Sequence, residues 1–110
     1  MTVFQKIIDG ELPCDKVFEN ERIIAFKDIA PVAPVHILIV VKKPIKNIAD
    51  IQAGDAPLLG EVMLVAQTLA KEFHIEEGFR LLTNNGSSAG QTIFHLHFHL
   101  IGGRHLGAMA

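Results

Sequence analysis

Clustered and alternating hydrophobic positions predict five β-strands along the chain. The segments concerned are short, rich in β-branched or aromatic residues, and bounded by turn residues or prolines; they are 16–20, 22–28, 36–41, 79–83 and 94–101. The third segment, HILIVV, is apolar after its histidine, which predicts a central strand with both faces covered. Pro31 and Pro34 interrupt the pattern before it, because proline cannot donate to a ladder of hydrogen bonds.

Helical periodicity occurs in two places. Between Asp55 and about Phe73, apolar residues recur at three- and four-residue steps, which predicts a long helix burying one face, with Asp55 as its N-cap. At the start of the chain, Thr2 and Gly10 flank a short helical pattern. Together these elements predict the α+β class: a five-stranded antiparallel sheet with a short N-terminal helix and one long helix, the helices forming a layer on the sheet, in a single domain over residues 1–110.

Bulk composition argues against several classes of function. The 110 residues carry a formal net charge of −2, without the basic surface that draws proteins to nucleic acids or anionic membranes. The strongest apolar run is too short to span a bilayer, and the opening residues lack a signal-peptide pattern. Cys14 is the only cysteine, so no intrachain disulfide forms, which favours a reducing compartment. We therefore expect a cytoplasmic protein with no nucleic-acid or membrane partner.

The most unusual stretch of the sequence is HLHFHLI at 95–101. In a β-strand, residues at alternate positions share a face, so His95, His97 and His99 are expected to point the same way. The apolar residues between them then point into the core beneath the long helix. We therefore expect the histidines to occupy the open face of the sheet, as solvated side chains, a metal site or a catalytic site.

Spacing and chemistry favour catalysis over a metal. A His-x-His pair suits zinc, but the outer histidines of the three would lie roughly 13 Å apart, so a further ligand such as His36 would be needed. A neutral imidazole, with an unperturbed pKa near ~6.5, is a usable nucleophile if a hydrogen bond at its other nitrogen fixes the tautomer. His97 has a histidine on each side and is the best candidate. We expect no cofactor, and a metal site stays open as the less favoured alternative.

The loop before the histidines is a candidate anion-binding site. Its sequence, NNGSSAGQT at 84–92, combines two glycines, which allow close backbone approach, with side chains that donate hydrogen bonds. Turn chemistry explains the same residue types equally well. The loop also lacks the lysine of a phosphate-binding P-loop.

The sequence resembles the histidine-triad (HIT) family, whose signature alternates three histidines with apolar residues and ends in two apolar residues. HLHFHLI matches every position, and the resemblance extends to FQKIIDGELP at 4–13, AFKDIAPVAPVHILIVVKK at 25–43 and NNGSSAGQTIFHLHFHLIGGR at 84–104. The pattern is most similar to the Hint branch, which hydrolyses nucleoside phosphoramidates. The resemblance implies a metal-independent hydrolase that forms homodimers by joining two sheets into one.

The resemblance also implies roles for individual histidines. His97 matches the nucleophile that attacks the α-phosphorus and forms a nucleotidyl-histidine intermediate. His99 matches a residue that bonds the phosphate and the leaving group, and His95 one that orients the set. His36 matches an additional histidine beside the triad.

The remaining site residues implied by the resemblance bind a purine nucleotide, an AMP or GMP derivative. The phosphate would be held by Asn84, Gly90, Gln91 and Thr92, the last standing where serine is common in this branch. Asp28 would bind the ribose hydroxyls, and the walls around the base would be Val3, Phe4, Ile7, Phe26 and Ile29. Three alternatives stay open: a dinucleoside polyphosphate hydrolase, a nucleotide-binding or interaction module with vestigial catalysis, and a zinc-binding protein.

Overall fold

The computed structural model describes residues 1–109. Its helices and strands, in chain order, are α1 (Val3–Ile8), β1 (Lys16–Glu19), β2 (Ile23–Lys27), β3 (Val35–Val41), α2 (Ala56–Glu72), β4 (Phe79–Leu82) and β5 (His97–Gly102). Short 3₁₀ turns lie at 48–50, 53–55 and 87–89. The predicted fold class, with its antiparallel sheet, short first helix and long second helix, is confirmed. Across residues 1–109, no helix is both long and apolar enough to cross a membrane.

The sheet has the order β1-β2-β3-β5-β4, and every neighbouring pair is antiparallel. The predicted central strand β3 lies in the middle, and nearly all of it is buried. In its register with β5, Leu38 lies opposite His99 and Val40 opposite His97. His36 therefore lies on the same face as these two histidines, one step along the sheet from His99.

The last strand begins later than predicted. We expected a strand over 94–101, but β5 starts at His97. The backbone N–H of Leu96 donates to the carbonyl of Ile45, beyond the end of β3, and its carbonyl accepts from Val41, the last residue of β3. The regular ladder therefore ends before residue 96. His95 thus lies just outside the strand, in irregular backbone.

The two helices pack against opposite faces of the sheet. The face under α2 holds the larger core, which includes Leu69 of the helix and Ile39 and Leu100 of the strands. The other face holds a smaller cluster, in which Phe4 of α1 covers Phe26 and neighbouring apolar residues of β2 and β3. The expectation of a single helical layer is therefore wrong, because apolar side chains on the second face also require a cover.

The histidine face is covered rather than open, contrary to the expectation from the sequence. Only 3% of His95 and 9% of His97 is exposed, because α1 lies over this end of the face. The ring of Phe4 meets the ring of His97 nearly edge-on, with 4.8 Å between centroids and 83° between planes. The predicted apolar partners, Leu96, Phe98 and Leu100, do point into the core beneath α2.

The helix ends show one confirmed cap and one difference. The Thr2 hydroxyl accepts from the backbone N–H of Gln5 at 3.1 Å and caps α1 as predicted. Asp55 stands immediately before α2 but makes no cap bond to that helix. Its carboxylate instead accepts from the N–H of Gln52 and from Lys43, so it caps the 3₁₀ turn that precedes α2.

Two glycine-to-alanine substitutions should shift stability in opposite directions. A Cβ at Gly102 would lie 3.0 Å from the Cβ of Ile75 and 3.2 Å from the carbonyl oxygen of Gly78. Gly102→Ala should therefore lower the free energy of unfolding by about 1–3 kcal/mol. Gly60 lies in α2 with nothing within 4 Å of its added Cβ, so Gly60→Ala should raise it by about 0.5–1 kcal/mol. Urea unfolding measures the free energy of unfolding of both variants. A Gly102→Ala protein more stable than the native one would contradict the close packing around Gly102.

Candidate active site

A backbone carbonyl sets the protonation state of His97. Its Nδ1 lies 2.7 Å from the carbonyl oxygen of His95. A carbonyl only accepts, so Nδ1 carries the proton and Nε2 keeps a free lone pair. His95 is held in turn by a 2.6 Å hydrogen bond from its own Nε2 to the carbonyl of Val41. His97 thus has the tautomer that a nucleophile attacking through Nε2 requires.

A backbone N–H sets the opposite tautomer at His99. Val32 donates its N–H to Nδ1 of His36 at 3.2 Å, so the proton of neutral His36 lies on Nε2. That nitrogen lies 2.9 Å from Nδ1 of His99 and donates to it. The proton of His99 is therefore on its Nε2, and the neighbouring His97 and His99 present a lone pair and an N–H donor.

Burial keeps both of these histidines neutral. Desolvation lowers the pKa of His97 below 6.5, and this effect outweighs the hydrogen bond to the His95 carbonyl, which acts in the opposite direction. Desolvation also lowers the pKa of His99 to about 4, reinforced by the proximity of His97 and His36 and opposed by Asp28. Both rings are therefore uncharged at neutral pH, which leaves the Nε2 lone pair of His97 available.

A cavity of about 430 Å³ lies in front of the two histidines. Its size lies within the range of small-molecule sites. The lining includes His97, His99, Thr92 and Asp28, and every residue expected around the base: Val3, Phe4, Ile7, Phe26 and Ile29. Its remaining lining residues were not anticipated; they are Leu12, Pro13, Lys27, Leu38 and Ile93. Leu12 and Pro13 fall within FQKIIDGELP, so that segment carried the signal for them.

The family model described as HIT domain matches residues 9–106. The chain belongs to the HIT domain family. A HIT-like protein of Chlamydia pneumoniae is 54% identical over 110 residues, which is 100% of each chain. The crystal structure of a HIT family hydrolase from Legionella pneumophila matches with a TM-score of 0.95 and 42% identity, covering 97% of this chain and 96% of that one. A histidine triad nucleotide-binding protein from Candida albicans gives 0.85 and 32%, covering 100% and 84%.

In this HIT domain the four residues expected to hold the phosphate differ in their position relative to the cavity. Thr92 lines the cavity. Gly90 has a φ of 97°, and a Cβ added there would lie 3.7 Å from the amide nitrogen of Asn84, so these two residues are close together. The side chain of Gln91 turns inward and is only 4% exposed. The four residues were expected to act together on the phosphate, but the fold places Gln91 in the interior and Thr92 at the cavity.

One cluster of the HIT domain has the composition of a metal site. Ligand atoms of Asp28, His36 and His99 all lie within 4.8 Å of one another. Histidines that bind metals almost always donate from their other ring nitrogen. His36 does the reverse, because its Nδ1 accepts from the N–H of Val32 and its Nε2 carries the proton. The hydrogen bonds therefore favour a relay between side chains over metal coordination.

Nuclear magnetic resonance can test the protonation of this HIT domain. The ring signals of His99 should titrate with a midpoint of about 4, and those of His97 below 6.5, because burial disfavours the charged form of each ring. The same protein unfolded in urea should give histidine midpoints near ~6.5. A midpoint for either ring at or above the unfolded value would contradict the neutral pair.

Proposed function

We propose that this HIT domain hydrolyses nucleoside 5′-phosphoramidates or related acyl-nucleotides and releases a nucleoside monophosphate through a covalent intermediate on His97. The observation that carries the proposal is the free Nε2 lone pair of His97, fixed by the carbonyl of His95, beside the N–H of His99 in one cavity. A related solved structure is named a HIT family hydrolase, which supports the reaction class.

The cavity offers groups that could bind the ribose and the base of a nucleotide. Oδ1 of Asp28 accepts the N–H of Ala30 at 2.8 Å, which orients the carboxylate. Its Oδ2 is left to accept ribose hydroxyls, with His36 at 3.5 Å as its nearest basic neighbour. The apolar walls offer stacking surface to a purine and few groups that read its polar edge. We therefore propose purine nucleotides in general as the substrate class.

The first chemical step follows from the two tautomers. Nε2 of His97 attacks the α-phosphorus, a bond from nitrogen to phosphorus forms, and the bond from phosphorus to the leaving amine breaks. The ring of His97 then carries positive charge, which its Nδ1–H bond to the His95 carbonyl stabilises. Water later attacks the same phosphorus, and His97 leaves with its lone pair restored.

The leaving amine needs a proton, and His99 is the best-placed donor. In the empty site this ring is neutral, with its pKa lowered to about 4. An anionic phosphate beside it favours the charged form and raises that pKa when substrate binds. His99 takes up a proton on Nδ1, which gives up the bond from His36 in the charged form, and it delivers the proton on Nε2 to the amine. The Nε2 lone pair left on neutral His99 then takes the proton of the attacking water. The Thr92 hydroxyl, which also lines the cavity, is a second polar group near the reacting centre.

Removing the nucleophile should abolish turnover without abolishing binding. His97→Ala should reduce kcat for adenosine 5′-phosphoramidate by about 10³-fold or more, because the covalent route is lost. Its affinity for AMP, measured by calorimetry, should stay within about tenfold of the native value, since the contacts of Asp28 and the apolar walls remain.

The control is His105→Ala, since His105 is an exposed histidine outside the cavity. It should keep native turnover. Retained activity in His97→Ala would reject the covalent route. Faster native hydrolysis of a dinucleoside polyphosphate than of the phosphoramidate would favour the alternative substrate class. A native protein that binds AMP and turns over neither would be a binding module.

We also propose that the chain forms a homodimer by joining the edge strands of two sheets. Exposed apolar side chains support this: Phe79 on edge strand β4 is 41% exposed, and Leu64 on α2 is 64% exposed. Light scattering should give twice the chain mass of 12.1 kDa. Phe79→Glu should shift the mass toward the single chain, because a charge at a paired edge opposes association. A native mass equal to one chain at micromolar concentration would contradict the proposal.

A further inference from the structure

The buried amide of Gln91 is the most completely bonded side chain near the cavity. It is 4% exposed. Its Oε1 accepts from the N–H of Gly86 at 2.8 Å and from the amide of Asn47 at 3.2 Å. Its Nε2 donates to the carbonyls of Lys46 at 2.9 Å and Ile93 at 3.1 Å. Both acceptor sites and both N–H groups of the amide are thereby used within the protein.

These four bonds join three pieces of the chain that no regular element connects. Gly86 opens the 3₁₀ turn of the loop, and Ile93 follows the loop on its way to β5. Lys46 and Asn47 belong to the irregular segment after β3. The backbone N–H of Gln91 adds a further bond to the carbonyl of Gly86 at 3.1 Å. Gln91 therefore holds both ends of the loop against the same strand-end segment.

The cavity residue Thr92 lies between two of these anchored positions. Gln91 precedes it and Ile93, whose carbonyl Gln91 holds, follows it. Both Thr92 and Ile93 line the cavity, whereas Gln91 does not. The placement of the Thr92 hydroxyl relative to His97 and His99 thus depends on a side chain that does not reach the cavity.

We propose that Gln91 is a positioning residue that shapes the phosphate side of the site through hydrogen bonds to the loop and touches no substrate itself. The inference deepens the proposed function and rests on it for the identity of the phosphate side. It differs from the direct phosphate contact that the family resemblance implies for this position, because an amide with four internal partners has no bond left for a ligand.

The chemistry of the position requires an amide rather than a carboxylate. An ionised glutamate keeps the acceptor that Gly86 and Asn47 use but places a second oxygen against the carbonyls of Lys46 and Ile93. Two acceptors facing each other in a buried site repel and leave both carbonyls without a partner. Protonating the carboxylate restores one of the two donors.

The test compares ligands that differ only in the phosphate, using Gln91→Glu. Calorimetry should show AMP binding weakened by about 10-fold or more, because the loop no longer presents its donors to the phosphate. Adenosine should bind within about twofold of the native affinity, since the base and ribose contacts lie outside the loop. Gln67→Glu makes the same chemical change at an exposed position of α2 and should alter neither affinity.

A pH series gives a readout that general destabilisation would not produce. Burial raises the pKa of the introduced carboxyl group, so protonation in an accessible range restores one donor. The AMP affinity of Gln91→Glu relative to native protein should recover as pH falls from about 8 to about 5.5. Dividing the AMP affinity of the variant by that of native protein cancels the effects of AMP and histidine titration, because these occur in both proteins.

If Gln91→Glu does not fold, Asn47→Ala tests the same arrangement by removing one of the four bonds. It should weaken AMP binding by roughly 3- to 10-fold and leave adenosine unchanged. Equal losses for AMP and adenosine, unchanged AMP affinity, or a ratio that is flat with pH would each overturn the inference. These measurements record binding and need no turnover. A native protein without phosphoramidase activity would therefore contradict the proposed reaction but would not affect this test.

Discussion

The hydrogen bond from Nδ1 of His97 to the carbonyl of His95, 2.7 Å long, fixes which nitrogen of that ring carries the proton, and the proposed chemistry depends on it. It exists because regular strand geometry stops short of His95: β5 begins only at His97, and the backbone just before it turns toward the segment after β3. In an unbroken strand that carbonyl would join the ladder and would not be available to the ring two residues later. Irregular backbone at this point is therefore a condition for a single tautomer of His97.

Two chemically identical rings acquire different tautomers from the backbone groups that surround them. The carbonyl of His95 accepts from Nδ1 of His97 and so holds the proton on that nitrogen. The N–H of Val32 donates to Nδ1 of His36, whose Nε2 in turn donates to Nδ1 of His99. The proton of His99 therefore lies on its Nε2. Because both pKa values are lowered by burial, the difference is preserved at neutral pH rather than averaged by protonation. Neither effect requires a carboxylate in contact with the nucleophile.

Sequence patterns predicted the elements and the separation of the triad from its apolar neighbours, since these follow from local periodicity. Residues 96, 98 and 100 do face the core under α2. Local pattern did not predict that α1 covers the histidine face, because Phe4 alone provides the buried anchor of that helix. Nor did it reveal the tautomers, which depend on Val32, Val41 and other groups distant in sequence. The inward amide of Gln91 was hidden for the same reason: a loop's composition does not tell which side chain turns inside.

The contact between Phe4 and the ring of His97 joins two parts of the chain that are far apart in sequence. The cover comes from α1, whereas the ring belongs to β5, the last strand in chain order. The surface on which α1 docks is therefore complete only when β5 has paired with β3. Because contacts between residues so distant in sequence are slow to form, enclosure of the His97 ring depends on the prior assembly of the central sheet.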